Sequence, residues 1–479
     1  MRMTRQAKEF LKKLSTLWVV GAFVVGMFYT EDKYFNMLEA KAACIDLLAV
    51  VFVCMSVLAA LAILYDTPIK ECAKDNWKKI NGFDIAVAAF VSSTVFANLT
   101  TAYPREAFWG SFGWRVGTFY FILMGLVYAF LHRYAEVERK LLYGIAVFVD
   151  LEFLWIVCNG FYLDFLGFHK QLAAKDYGRY VGSVGNTNWY VGFLSLVLPF
   201  LFYGAIKGQK RWQRISCYVG VLLGSMSVVT IHCDGIFPAL FVLTMGSLYY
   251  GFANGELTRL WPLYTLFWIG VGMVWLLSLM LPMVTVDGLA EWILNPLVWG
   301  TGIGVCLLFY LISKAMQDKE RPIFARTVMI GSVLAVAGGI LYVSGHFSNS
   351  WGTNRGYIWK KAVQIYSDFP LLRKLFGGGA NCFGLFYREL TGSDWVRNAH
   401  NEFLEYLVCT GLFGLLSYVA IFVCAIKEKT EKDPFLIAGK LAIMAYMAQA
   451  FFNNPQALNG AIFYTILAMY RRKKQSVIE

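Results

Sequence analysis

Hydrophobic positions along the chain gather into fourteen runs: 11–29, 40–65, 84–102, 114–131, 141–163, 188–206, 215–232, 235–252, 261–283, 295–316, 327–346, 402–426, 434–452 and 456–470. A helix rises about 1.5 Å per residue, so each run can cross a hydrocarbon layer of about 30 Å, the shortest only just. The break around 232–235 and the split at Asn453-Asn454-Pro455 allow other counts, so the pattern predicts twelve to fourteen membrane helices. The predicted fold is all-α and polytopic. Residues 1–479 form a single integral membrane domain, with C-terminal helices over 402–470.

Two stretches interrupt the pattern. Residues 164–187 are polar and Gly-rich, and 347–401 form the one long loop. Long ordered loops are usually functional. Within the second, Ile358, Ala362 and Ile365 recur at helical spacing, predicting a segment that lies flat on the outer leaflet and ends at Asp368-Phe369-Pro370. Gly377-Gly378-Gly379 then predicts a turn or a close backbone approach.

Composition agrees. Of the 479 residues, 58% are hydrophobic and 15% charged, too little polar surface for a water-soluble particle of this size. The net charge of +12 excludes less than it suggests, because Lys and Arg cluster in short loops between the runs. No basic face remains for nucleic acid. These clusters are Arg2 to Lys13; Lys70, Lys74, Lys78 and Lys79; Arg133, Arg139 and Lys140; Lys207 to Arg214; Lys319, Arg321 and Arg326; Lys427, Lys429 and Lys432; and Arg471 to Lys474. The positive-inside rule puts them, and both termini, on the cytoplasmic side. The first run lacks the cleavage pattern of a signal peptide. The ten Cys show no metal-type spacing; a bond between Cys233 and Cys382 is conceivable, but buried small hydrophobes are the simpler reading.

Loop 347–401 is unusually basic for an outer loop, with Arg355, Lys360, Lys361, Arg373, Lys374, Arg388 and Arg397 against Asp368, Glu389 and Asp394. It runs into Asn398-Ala399-His400-Asn401-Glu402-Phe403-Leu404-Glu405 at the outer start of a membrane helix. There the helix dipole and partial burial both disfavour imidazolium, leaving a neutral His suited to take a proton from a hydroxyl. A structural or capping role is the bland alternative for His400, and His169 and His346 lie outside as well. Leu404, Leu407 and Gly411 are read as one helical face, with Gly411 and Gly414 allowing close packing. Asp150 and Glu152 lie within a membrane run, nearer its inner end in sequence; ion coupling is the possibility they raise.

The motif His400-Asn401-x-x-Leu404, followed by Gly411 and Gly414, resembles the signature of the O-antigen ligase and O-antigen polymerase superfamily. Arg355 and Trp359, Pro370-Leu371-Leu372, Gly377-Gly378-Gly379 and Phe383 follow the family's order upstream, as do Arg179, Gly182 and Gly185-Asn186-Thr187-Asn188. One departure is His232-Cys233-Asp234-Gly235, where many members resemble Ser-Arg-Gly. The resemblance implies a GT-C-like membrane glycosyltransferase that needs no metal or other cofactor. It would move a glycan from an undecaprenyl-diphosphate carrier to a glycan, lipid or protein acceptor at the outer face of the bilayer. On that reading His400 is the base. Arg179 and Arg355, with Arg397 and Lys360 behind them, bind the diphosphate, since guanidinium matches phosphate oxygens. Asn186, Asn188, Asn401 and Trp359 support the site. Headgroup anchoring is the alternative for the two arginines, and helix capping for Asn186 and Asn188. A polysaccharide flippase is the competing function, although no internal repeat is evident and the polar features cluster on one side.

Overall fold

The computed structural model describes residues 2–66, 80–428 and 432–478. Lys70, Lys74, Lys78, Lys79 and Lys429 lie outside the described residues. Among the described residues, fourteen long helices correspond one for one to the apolar runs. They are α1 (Arg2–Val20, prolonged through a π-helical turn to Phe28), α2 (Met37–Asp66), α3 (Gly82–Thr100), α4 (Thr118–Tyr134), α5 (Arg139–Gly160), α6 (Thr187–Lys207) and α7 (Arg211–Thr230). They continue as α8 (Phe237–Asn254), α9 (Leu257–Ser278), α10 (Pro296–Ala315) and α11 (Arg321–Gly345). The outer loop adds α12 (Trp351–Asp368), α13 (Leu371–Phe376) and α14 (Phe383–Thr391), and the chain closes with α15 (Glu402–Lys427), α16 (Pro434–Ala450) and α17 (Ala457–Ile478).

Ten of the fourteen are long and apolar enough to cross a bilayer on their own. The remaining four, α4, α7, α16 and α17, are shorter or more polar, and all pack against neighbours. In particular α17 lies along α4, α16 along α6 and α8, and α7 along α5, α6 and α9. A helix buried in a bundle needs less apolar surface than one facing lipid. The opposite case is α11, whose only buried residue is Ala325. Its exposed Ile330, Val333, Leu334 and Ile340 face outward, as a lipid-facing helix requires.

Ion pairs divide the molecule into two ends. Lys12 meets Glu136 at 2.9 Å, Arg472 meets Glu136 at 3.6 Å, Arg471 meets Asp84 at 3.3 Å and Lys473 meets Asp433 at 3.4 Å. Both termini therefore share one end with basic inter-helix loops. The two polar stretches share the other end. Residues 164–186 form two 3-10 turns and a hairpin of β1 (Tyr180–Val181) and β2 (Gly185–Asn186), paired antiparallel with Tyr180 opposite Asn186.

The long loop folds on itself. Ile358, Ala362 and Ile365 are buried, but against Phe383, Phe386, Val396 and Ala399 rather than against a leaflet. This corrects the expectation of a surface-lying helix: the apolar face of α12 has a protein partner in α14 and α15.

Gly377-Gly378-Gly379 makes the close approach expected of it. The N–H groups of Gly378 and Gly379 donate to the carbonyls of Val408 and Cys409, both at 2.9 Å. Those carbonyls precede a kink in α15 at Gly411, which adopts φ 69° and ψ −171°. Gly411 is therefore a helix break and not part of a continuous packing face. A Cβ there would meet the Leu375 carbonyl carbon at 2.5 Å. Gly411→Ala combines a backbone conformation open almost only to glycine with this overlap, and should cost about 3 kcal/mol or more. Gly392 has a similar φ of 71° but open space around it, so Gly392→Ala should cost about 1 kcal/mol. Thermal unfolding midpoints of the two variants in detergent check this; equal shifts would contradict it.

Candidate active site

Three separate segments build the outer site. In the first, the β1–β2 hairpin delivers Asn186 as the N-cap of α6, its Oδ1 accepting from the Asn188 N–H at 2.8 Å. The cap consumes the Asn186 side chain and leaves Asn188 free to face the loop. Asn188 Oδ1 accepts from Arg355 Nη2 at 3.3 Å and from the Cys233 thiol at 3.5 Å. Behind it, Asn453 Nδ2, in the break between α16 and α17, donates to the Asn188 carbonyl and to Gln449 Oε1.

The hairpin is held from below. Glu152 Oε1 accepts from the N–H groups of Ser183 and Val184, at 2.8 and 3.0 Å, and Oε2 accepts from the Ser183 hydroxyl at 2.7 Å. Lys41 Nζ donates to the carbonyls of Met27 and Tyr29, and the Ser183 hydroxyl also donates to Met27. Glu152 thus supports an outer loop, contrary to its reading as an inner-half residue: it stands past the middle of α5 (Arg139–Gly160), and the hairpin reaches down to it. Asp150, by contrast, accepts from Ser216 Oγ on α7 at 2.9 Å.

Arg355 follows three residues in left-handed conformation, Gly352, Thr353 and Asn354, which swing the chain into the body of α12. Its Nη1 donates to the Gly352 carbonyl at 3.1 Å, while its Nε is buried without a partner among the described residues. Burial pulls its proton affinity below the ordinary value, and nearby Cys233 and Asp234 oppose that. The basic group beside Cys233-Asp234 is therefore Arg355. One turn further on, Trp359 stacks among Phe347, Trp351 and Phe452, its Nε1 also buried and unpartnered.

His400 sits in the turn before α15 with φ 48°, unusual for a residue with a side chain. Its N–H donates to Asn398 Oδ1 at 3.1 Å. Its Nδ1 is buried without a partner. Burial, and then the positive charge of Arg355, push its pKa down to about 4, so the imidazole is neutral at physiological pH. Asn401 is consumed as the cap of α15, accepting from the Leu404 N–H at 3.0 Å.

Arg355 thus joins Asn188, His400 and, one turn along α12, Trp359, whereas the other basic residues proposed for the site are exposed and engaged elsewhere. Arg179 is 70% exposed and pairs with Asp176 at 3.1 Å. Lys360 is exposed, donating to Asn349 Oδ1 at 2.8 Å. Arg397 is exposed over the Phe112 ring, 5.3 Å from its centroid. Cys233 and Cys382 are both free thiols. Beside Asp234, a largely apolar cavity of about 810 Å³ runs into the membrane region between α8, α9 and α10, lined by Phe237, Leu240, Trp268, Trp292, Leu297 and Val305 among others.

The fold is that of a multi-pass, all-helical membrane protein whose polar machinery gathers at one end. Residues 236–419, the part that holds Arg355 and His400, match the family model described as O-antigen ligase. The chain is also similar to the exopolysaccharide production protein ExoQ of Rhizobium meliloti (strain 1021), 29% identical over 133 residues. That alignment covers 26% of this chain and 31% of the relative, so this chain spans about a third of ExoQ's length. Both matches are to proteins of an O-antigen ligase/polymerase type, and they show what this part of the chain is similar to.

Proposed function

We propose that the chain is a membrane-embedded glycosyltransferase that moves a glycan from an undecaprenyl-diphosphate carrier to an acceptor hydroxyl at the outer face of the bacterial inner membrane, with both termini in the cytoplasm. The observation that carries this reading is that Arg355, held on Asn188, lies near enough to His400 for its charge to act on the imidazole, and each of the two has a buried nitrogen unpartnered among the described residues. Buried polar groups are normally satisfied, so unpaired ones at an outer-facing group favour a polar ligand there.

The chemistry follows from the two side chains. The acceptor oxygen attacks the anomeric carbon as neutral His400 takes its proton. The bond from that carbon to the diphosphate oxygen breaks, and the diphosphate leaves with the electron pair. Arg355 meets the charge that develops on it. A diphosphate leaves readily, so one base suffices. A single displacement inverts the anomeric centre. The polyprenyl tail lies in the apolar cavity beside Asp234, keeping the headgroup at the membrane surface. Arg179, Lys360 and Arg397 act from the rim through screened attraction to the anionic donor.

ExoQ is named for exopolysaccharide production, which favours a polymer-building role here over attachment to a lipid core. Analysis of carrier-linked glycans in a deletion strain tests both levels. Single repeats accumulating on the carrier are expected for a polymerase, and full-length chains for a ligase. Carrier-linked glycan unchanged from the parent strain would overturn glycan transfer altogether.

A further inference from the structure

The transfer reading leaves two buried carboxylates near the base without a role, Glu402, which accepts from Tyr418 and Tyr446, and Glu405, which reaches the turn itself. Glu405 lies in the first turn of α15 and is 2% exposed. Its Oε2 accepts from the backbone N–H of Ala399 at 2.7 Å. Ala399 immediately precedes His400 and is fully buried. We propose that Glu405 is a positioning residue: by holding the Ala399 N–H, it locks the left-handed turn that aims the His400 imidazole at the acceptor. This rests on the transfer reading and extends it by naming what fixes the base.

The turn needs such a lock. With φ 48°, His400 occupies a conformation that residues with a Cβ adopt only when their surroundings impose it. Three side chains impose it, each capturing a backbone N–H. Asn398 takes that of His400 at 3.1 Å, Asn401 takes that of Leu404 at 3.0 Å and Glu405 takes that of Ala399. Asn398 and Asn401 act within two or three residues. Glu405 reaches back six, so it ties the residue before the base to the first turn of the helix. Its other oxygen accepts from the Cys409 thiol at 3.5 Å, one turn deeper, which fixes the carboxylate in turn.

The length of the side chain and its acceptor oxygen are what matter on this account. Gln keeps both, whereas Asp keeps the charge but falls one methylene short. The test compares Glu405→Gln, Glu405→Asp, Glu405→Leu and His400→Ala in a deletion strain, at matched amounts in the membrane. Surface glycan is measured in cells, and undecaprenyl diphosphate binding is measured on purified protein in nanodiscs. Glu405→Gln should retain output within about twofold. Glu405→Asp and Glu405→Leu should lose about tenfold or more, the loss expected when a buried N–H is left without its acceptor. Undecaprenyl diphosphate should bind all four variants as it binds the parent, because its contacts belong to Arg355. If Glu405→Leu does not accumulate in the membrane, the Asp and Gln pair still decides. Full output from Glu405→Asp, or Glu405→Gln as defective as Glu405→Asp, would overturn the positioning role while His400→Ala remained inactive. Full output from His400→Ala would instead overturn the transfer reading itself.

Discussion

His400→Ala is expected to lower glycan transfer by about 10²- to 10⁴-fold, the usual worth of a positioned general base. Carrier-linked glycan extracted from a deletion strain serves as donor for the purified protein. Membrane insertion and thermal stability should be nearly unchanged, because the His400 Nδ1 has no hydrogen-bond partner among the described residues. The same residue sets the pH dependence. Burial and Arg355 lower its pKa to about 4, so the competent neutral form dominates above that value. Activity at limiting donor should therefore rise as pH increases through about 4 and stay level from pH 5 to 8. A His in its ordinary range would place that limb near pH 6.5. A limb there, or wild-type transfer by His400→Ala, would remove His400 as the base.

Arg355→Ala should cost about 10²- to 10³-fold in transfer, the range for losing a preorganised group that meets developing negative charge. Unlike His400→Ala, it should also weaken undecaprenyl diphosphate binding, since the guanidinium touches the donor before and during the reaction. Arg355→Lys should not restore activity. An ammonium cannot donate at once to Gly352, Asn188 and a phosphate in the planar fork that Nη1, Nη2 and Nε present. Wild-type activity in Arg355→Lys would reduce Arg355 to a diffuse positive charge. In contrast, removal of Arg179, Lys360 or Arg397 should change transfer by no more than a few fold, with an effect that fades as salt rises.

The helices were legible because hydropathy reports the constraint that membranes impose. All fourteen apolar runs reappear as helices, and their errors lie at the ends. Residues 2–10 are polar yet helical in α1, and Arg471 to Lys474 continue α17, because a helix does not stop where the hydrocarbon does. The outer loop was less legible. The spacing of Ile358, Ala362 and Ile365 gives a helix with an apolar face but not what covers it; the covering residues are 20 to 40 positions away. Charge also reads poorly from sequence. Seven basic residues in one loop look alike, but only tertiary packing turns Arg355 inward against Asn188 while Arg397 and Lys360 face out.

Some signals in the sequence left two readings open. Asn186 and Asn401 stand directly before helices, the ordinary position of a cap, and both are caps. Glu405 was quoted within the motif without a role, although an ionisable residue inside a membrane helix invites one. Cys233 and Asn453 carried no recognisable pattern; they meet Asn188 only because three distant helix ends converge.

The central claim is that Arg355, Trp359 and His400 surround the diphosphate-linked end of the donor. Electron cryomicroscopy of the protein in nanodiscs with undecaprenyl diphosphate tests it most directly. The account predicts phosphate density within hydrogen-bonding distance of Arg355, beside Asn188 and His400, with the isoprenoid chain entering the cavity between Phe237 and Trp292. Phosphates bound at the opposite end of the bundle, or held by Arg179 and Arg397 with Arg355 untouched, would contradict it.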